Sequence, residues 1–364
     1  MKVKISLATA ALFASSMLFA DSTSIADALK NGAVNGEFGI YAEQSNNQDR
    51  DDDGFGSGSF NLGYSTDSFY GVKLSVGSRA NHDFWEVHSG DYEQSTKAIL
   101  HTANIAYSHP HLDVVFGRQE INLNWVSDFH EALVGVIKAV PDTSIIVGYT
   151  QRVAVADYDS PLDGFNKLGE DGAFVVDAKW SGVEGLVVNP FVYHANDVAT
   201  WAGVRADYDK TFGDFSVGGT VQYTQSDEDN LPDDGSFLHL EARGSFVGVN
   251  ANLGFIQTGK DVGLGSIAAA GENVNPFQEG DQVVETDAQT IYLGASYNLK
   301  GFVLSGLYGY TEYANNAKFN ELDLGVGYDL NENLALEGYL ILGSGNDAAN
   351  NDYTKFTLGA TYSF

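Results

Sequence analysis

Apolar and polar side chains alternate along most of this chain in segments of about ten residues, separated by polar turns. In the last segment Phe356, Leu358, Ala360, Tyr362 and Phe364 share one parity, and Lys355, Thr357, Gly359, Thr361 and Ser363 share the other. Leu322, Leu324, Val326 and Tyr328 alternate in the same way with Glu321, Asp323, Gly325 and Gly327, and Tyr70, Val72, Leu74 and Val76 with Gly71, Lys73, Ser75 and Gly77. Period two is the signature of a β-strand with two unlike faces. A soluble sandwich alternates too, but its polar face is solvated and rich in Lys and Glu. Here that face is crowded with Gly, Ser, Thr and Asn, which suits a confined aqueous interior behind a lipid-facing wall.

Such segments begin near 34, 56, 69, 97, 111, 132, 143, 173, 186, 199, 214, 237, 247, 289, 302, 319, 333 and 354. The pattern predicts an all-β fold: a transmembrane antiparallel β-barrel of about 18 strands, with 16 as the alternative count, since single-chain outer-membrane barrels have even strand numbers. Connections alternate short and long. Turns such as Pro141-Asp142, Val247-Gly248 and Lys300-Gly301 are short, and most of the intervening loops are longer and acidic, the longest at 258–287. Short periplasmic turns and long external loops produce this asymmetry. The connection near Asn196-Asp197 is short where a long one is expected, which leaves the count open by two.

The first twenty residues do not follow the pattern. Lys2 and Lys4 precede an apolar run from Ile5 to Phe13, and Ser15, Ser16 and Ala20 lead into Asp21. This reads as a secretory signal peptide over 1–20, because the run is too short for a bilayer span. A single barrel domain over 21–364 is then the expected mature protein.

Composition narrows the function. The chain carries 19 Lys and Arg against 49 Asp and Glu, a net of −30, and no Cys. Nucleic acid is excluded as a partner, since phosphate recognition needs a basic footprint. Disulfides, thiolate metal sites and a cysteine nucleophile are excluded as well.

Three stretches resemble a known family. They are Ile25-Ala26-Asp27-Ala28-Leu29-Lys30-Asn31-Gly32-Ala33-Val34-Asn35-Gly36, Phe116-Gly117-Arg118-Gln119, and the terminal Thr357-Leu358-Gly359-Ala360-Thr361-Tyr362-Ser363-Phe364. Together they resemble the Gram-negative Opr-type, outer-membrane porin D-like porins, and most closely their epsilon-proteobacterial branch. After Gln119 that family carries an Asp-Arg-Met-type stretch, whereas this chain continues from Glu120 through Asn124-Trp125 to Asp128 and Glu131. The resemblance implies an integral outer-membrane channel with a water-filled lumen and an inward constriction loop.

Assigning the polar parity to the lumen gives a charge map. Lys73, Lys138, Arg152, Arg205 and Arg243 become a basic wall, and Glu37, Asp323 and Glu337 an acidic one across the seam between last and first strands. Opposed charge rings select ions and orient zwitterions. The 118–131 stretch is the expected constriction, with Arg118, Glu120, Asp128 and Glu131, and the 258–287 loop, with Glu272, Glu279 and Asp281, is its rival. Asp49, Asp51 and Asp53 match the first half of a calcium loop, though Phe60 stands where the bidentate Glu belongs. The alternatives there are a solvated acidic loop and a Ca²⁺ or Mg²⁺ site that bridges lipopolysaccharide. No cofactor is otherwise expected.

The leading reading is a porin passing small hydrophilic solutes and ions, with mild cation preference from the acidic excess. A substrate-specific channel for amino acids or small carboxylates and an adhesin or structural barrel remain alternatives. An enzyme is not expected, because no Ser-His-Asp grouping stands out. Expected partners are outer-membrane lipid and lipopolysaccharide, the barrel-assembly machinery through Phe364, and two further copies in a homotrimer.

Overall fold

The computed structural model describes residues 21–48, 50–268, 270–271, 273–346 and 352–364. The 1–20 segment read as a signal peptide, Asp49 and Glu272 therefore lie outside the described residues.

A short helix, α1 (Ile25–Lys30), is capped by Ser24, whose hydroxyl accepts the Asp27 N–H. The strands follow: β1 (Ala33–Asn47), β2 (Asp53–Ser65), β3 (Val72–Glu86), β4 (Ala98–His109), β5 (Leu112–Glu120), β6 (Phe129–Ile137), β7 (Thr143–Val155), β8 (Asp163–Lys167), β9 (Ala173–Val183), β10 (Leu186–Ala195), β11 (Ala199–Phe212), β12 (Phe215–Glu228), β13 (Gly235–Phe246), β14 (Val249–Thr258), β15 (Gln289–Leu299), β16 (Phe302–Tyr313), β17 (Ala317–Asp329), β18 (Leu334–Gly345) and β19 (Tyr353–Ser363). Every pairing is antiparallel between neighbours, and β19 returns to β1, with Phe38 opposite both Tyr362 and Phe60. Closure leaves no free edge, so each backbone polar group in the wall meets a partner inside the sheet.

Eighteen strands make the barrel; β8 is an accessory. It pairs with the upper end of β7, Arg152 opposite Lys167, beyond the point where β9 ends its own pairing with β7 at Ala173. The short Ala195–Ala199 connection is a true hairpin between β10 and β11, which settles the count.

The two faces divide as the alternation predicts. Phe116 and Leu358 are 63% and 68% exposed on the outer face, while Gln222 and Thr224 are fully buried inside. No helix among the described residues is long and apolar enough to cross a membrane. The Val247-Gly248 and Lys300-Gly301 turns have positive φ at both residues, as two-residue hairpins of this hand require.

The interior departs from the expected small and polar lining. Val134, Val136, Val175, Phe191, Trp201, Phe237, Ile256 and Leu307 are buried on strands β6 to β16 and join one apolar cluster with loop residues. Much of that half of the lumen is filled by a packed core.

Candidate functional site: a lumen closed by three loops

The β5–β6 loop (121–128) supplies Ile121, Leu123, Trp125 and Val126 to the interior cluster, all buried. Trp125 stands edge-on to Phe237 of β13, ring centroids 5.1 Å apart at 85°. The Asn124 amide donates to Asn189 Oδ1 on β10 at 3.2 Å. The loop thus folds inward on apolar anchors.

Its flanking charges form a second cluster. Arg118 and Glu131 stand opposite one another, on the side of β6 that carries Phe129, whose ring meets His101 at 4.3 Å and packs with Leu162 of the 156–172 loop. Arg118 Nε and Nη2 donate to Glu131 Oε1 at 3.0 and 2.8 Å, and the guanidinium covers the Phe165 ring at 4.2 Å. A register shift sets Arg152 on the side of Glu131 and not on that of Thr150: it stands opposite Glu131, 3.7 Å from its carboxylate. Glu120 is exposed and opposite Phe129. Asp128 sits in a left-handed turn and accepts the Ser127 hydroxyl.

The β14–β15 loop (259–288) interlocks with the first. Asn273 N donates to Asn124 O at 2.9 Å and Ser127 N to Ala270 O at 3.1 Å. Leu264, Val274, Phe277 and Val283 join the same cluster. Its far end reaches the opposite wall, where the N–H groups of Gln278 and Glu279 both donate to Glu321 Oε1 of β17, at 2.9 and 3.0 Å. Gln278 N also reaches Asp323 Oδ2 at 3.2 Å. Glu279 pairs with Lys355 of β19 at 2.9 Å, and Lys355 pairs with Glu43 of β1 at the same distance. Burial raises the Glu279 carboxyl above the usual carboxylate range, with Lys355 opposing and Glu43 and Glu321 adding to the rise.

A third loop, 156–172, carries β8 and also enters the lumen. The Asn81 amide on β3 donates to Asp157 O and Ser160 O at 2.8 and 3.0 Å. Tyr158 crosses to the seam, donates its hydroxyl to Glu337 of β18, and meets Tyr41 of β1 edge-on with centroids 6.2 Å apart. Periodicity gave no sign of this strap, since loop 156–162 has no alternation.

The expected basic wall is compensated residue by residue. Arg205 binds Asp207 at 2.7 Å. Arg243 binds Asp209 at 2.6 Å, with Asp207 and Glu241 at 3.7 and 3.3 Å. Lys138 binds the buried Asp113 at 2.8 Å. Lys73 is half-buried on the inward parity. On the acidic side Glu37 holds Arg79 at 2.9 Å. In the first external loop the Asp53 carboxylate is taken by the Asn47 amide at 3.0 Å and Arg50 at 3.4 Å, while Asp51 is exposed. No grouping of three or more metal-ligating side chains occurs among the described residues.

Comparison with known proteins agrees with this architecture. A family model described as a Gram-negative porin matches residues 7–364. No curated protein matches the sequence. Among solved structures, Acinetobacter baumannii OccAB3 superposes with a TM-score of 0.79 at 11% identity, covering 92% of this chain and 99% of that one. A. baumannii OccAB2 gives 0.78 at 12%, over 93% and 99%. Pseudomonas aeruginosa OpdK, solved with vanillate, gives 0.76 at 14%, over 92% and 99%. At these identities the likeness is one of fold.

Proposed function

The chain belongs to the Gram-negative porin family, and on that premise we propose a passive outer-membrane channel for small hydrophilic solutes and ions with mild cation preference. It is a channel and not an enzyme. One observation carries the selectivity. Where loops 156–172 and 259–288 meet the seam wall, Glu37, Glu43 and Glu279 share the two cations Arg79 and Lys355 among the described residues, and Glu337 accepts the Tyr158 hydroxyl. The surplus charge is negative, and rings of one sign filter ions of the other. The basic residues across the lumen do not offset it, because Asp207, Asp209 and Glu241 neutralise Arg205 and Arg243 locally. We place the constriction on these inward loops, with Arg118 and Glu131 packed behind the 156–172 loop.

Planar-bilayer recording of the refolded protein under a KCl gradient tests this reading. Conductance with a cation-selective reversal potential is the expected result. Anion selectivity would make Arg205 and Arg243 the filter, and no conductance from folded protein would remove the channel reading.

A substrate-specific channel for amino acids or small carboxylates is the second reading, favoured by the filled half of the lumen and the paired charges of β11 and β13 beside it. Block of the ionic current by millimolar solute separates it from the first. The resemblance to the epsilon-proteobacterial branch, contact with lipopolysaccharide, recognition of Phe364 by the assembly machinery and a homotrimer belong to the same proposal. So does cleavage after residue 20.

A further inference from the structure

The seam wall is shaped to receive one side chain from across the lumen. Glu337, Gly359 and Tyr41 form a single cross-strand row over β18, β19 and β1, and Gly39 is the next inward position on β1. Tyr158 lies in the depression left by the two glycines. A Cβ built on Gly39 would stand 2.8 Å from Tyr158 Cβ and 2.9 Å from its ring, and one on Gly359 would strike the Tyr158 hydroxyl. Neither glycine has a positive φ, so backbone conformation does not demand them. Room for the phenol does.

The strap is held at both ends. Behind Tyr158, Asn81 binds two of its carbonyls, Leu162 is fully buried, and Ser95 O–H donates to Asp163 at 2.8 Å. In front, the hydroxyl is bonded to Glu337. The segment therefore spans from β7 to the seam instead of hanging free above the barrel. Its ring, together with Tyr41 and the Lys355–Glu279 pair brought by the other loop, bounds the passage on this side.

We infer that Tyr158 is the specificity-determining residue of the channel: seated on Gly39 and Gly359, it sets the cross-section and hence the largest solute admitted. This rests on the channel reading and adds a residue to it. Removing the ring widens the passage while the barrel, whose ladder it does not join, stays intact. Removing only the hydroxyl leaves the ring in its seat but frees Glu337.

The test uses the full chain in lipid. Tyr158→Ala is expected to raise single-channel conductance by about half or more and to admit larger neutral sugars in liposome swelling, where solute size is the only variable. Gly39→Val, which evicts the ring without altering Tyr158, is expected to change conductance and size limit as well. Tyr158→Phe is expected to keep the size limit and increase cation selectivity through the freed carboxylate. Placement is checked separately. Gly359→Ala, whose methyl group would strike the Tyr158 hydroxyl from the other side of the seat, should move conductance and size limit in the same direction as Gly39→Val. Wild-type size exclusion in a folded, conducting Tyr158→Ala channel would overturn the inference and leave the porin reading standing. Wild-type size limits in folded, conducting Gly39→Val and Gly359→Ala channels would overturn the seat. A wild-type protein that folds but does not conduct would instead overturn the channel reading itself.

Discussion

Trp125 and Phe237 meet edge to face at 5.1 Å inside the barrel, both fully buried, one on a loop and the other on the wall of β13. This contact explains how a lumen in a water-filled channel protein comes to hold a core. The loop brings apolar side chains inward, and inward strand positions that water would otherwise wet carry Phe, Trp, Val and Ile to receive them. Burial of apolar surface holds the loop, and geometry of the aromatic pair orients it.

Trp125→Ala removes that anchor. Truncating a buried aromatic costs about 3–5 kcal/mol in well-packed cores, and here the cost falls on the loop's attachment because the wall is closed by its own ladder. The expected outcome is higher, noisier conductance, with the heat-modifiable gel shift of the barrel displaced only slightly. A large drop in that transition would show that the loop supports the wall itself.

How much of this was legible in the sequence follows from which signals are local. Strand starts read at 143, 173, 186, 199, 289 and 302 coincide with the observed ones, and those read at 56, 69 and 132 miss by three residues. Period two and hairpin turns are nearest-neighbour properties, so a single sequence carries them. β8 was missed because Asp163-Gly164-Phe165-Asn166-Lys167 is short and does not alternate. Charge placement suffered where a bulge broke parity: Arg152 takes the side of Glu131, not that of Thr150. The inward loops left a trace that alternation alone ignores. Ala132 to Ile137 is apolar on both parities, and Ile121, Leu123 and Trp125 put large apolar side chains in the stretch expected to fold inward as the constriction. Two-faced apolar strands signal burial on both sides, so the filled half of the lumen was readable there. The seat of Tyr158 was not, since it joins residues 39, 158, 337 and 359 through the closure of the barrel.

Glu321 anchors the other loop by accepting two consecutive backbone N–H groups and the Tyr353 hydroxyl, the latter at 3.1 Å. Glu321→Ala leaves the Glu279 N–H and the Tyr353 hydroxyl without this acceptor and the Gln278 N–H with Asp323 alone, a penalty of about 1–3 kcal/mol per orphaned group. Limited proteolysis of the protein in vesicles should then cut within 259–288 at least ten times faster than in wild type. Glu321→Gln, which retains one carbonyl oxygen, should cut at an intermediate rate.

The paired charges of β11 and β13 make a prediction of sign. Asp207→Asn with Asp209→Asn strips Arg205 of its carboxylate and leaves Arg243 with Glu241 alone, and the reversal potential should move toward anions by several millivolts under a tenfold KCl gradient. Arg243→Gln should move it the opposite way, leaving Asp207, Asp209 and Glu241 without a shared cation. An unchanged potential in both variants would place these groups outside the ion path.

Val247 holds a left-handed backbone, φ 46°, in the turn between β13 and β14, with its side chain 64% exposed. A β-branched residue pays about 1–2 kcal/mol in that region, and Asn tolerates it far better in the first position of this turn type. Val247→Asn should therefore stabilise the barrel by about 1 kcal/mol in urea unfolding from vesicles, with conductance unchanged, because the turn lies at the rim away from the constriction.

Glu279 gives the channel a pH dependence. Burial and the neighbouring Glu43 and Glu321 hold its carboxyl above the usual range, so the folded protein takes up this proton at a higher pH than the unfolded chain does. Where the native state binds more protons, stability rises as pH falls. From this group alone the protein therefore gains stability between its raised value and the ordinary one as acid is added. The same protonation removes one negative charge from the constriction and releases Lys355 to Glu43 alone. Cation selectivity should consequently weaken at mildly acidic pH, before exposed carboxylates titrate, and reversal potentials measured in steps from pH 8 to pH 5 should show it. Glu279→Gln should start with the weaker selectivity and lose this step, because the proton-binding group is gone while the loop remains bound through the backbone N–H groups of residues 278 and 279. A step that persists in Glu279→Gln would assign the titration to another carboxylate of the constriction.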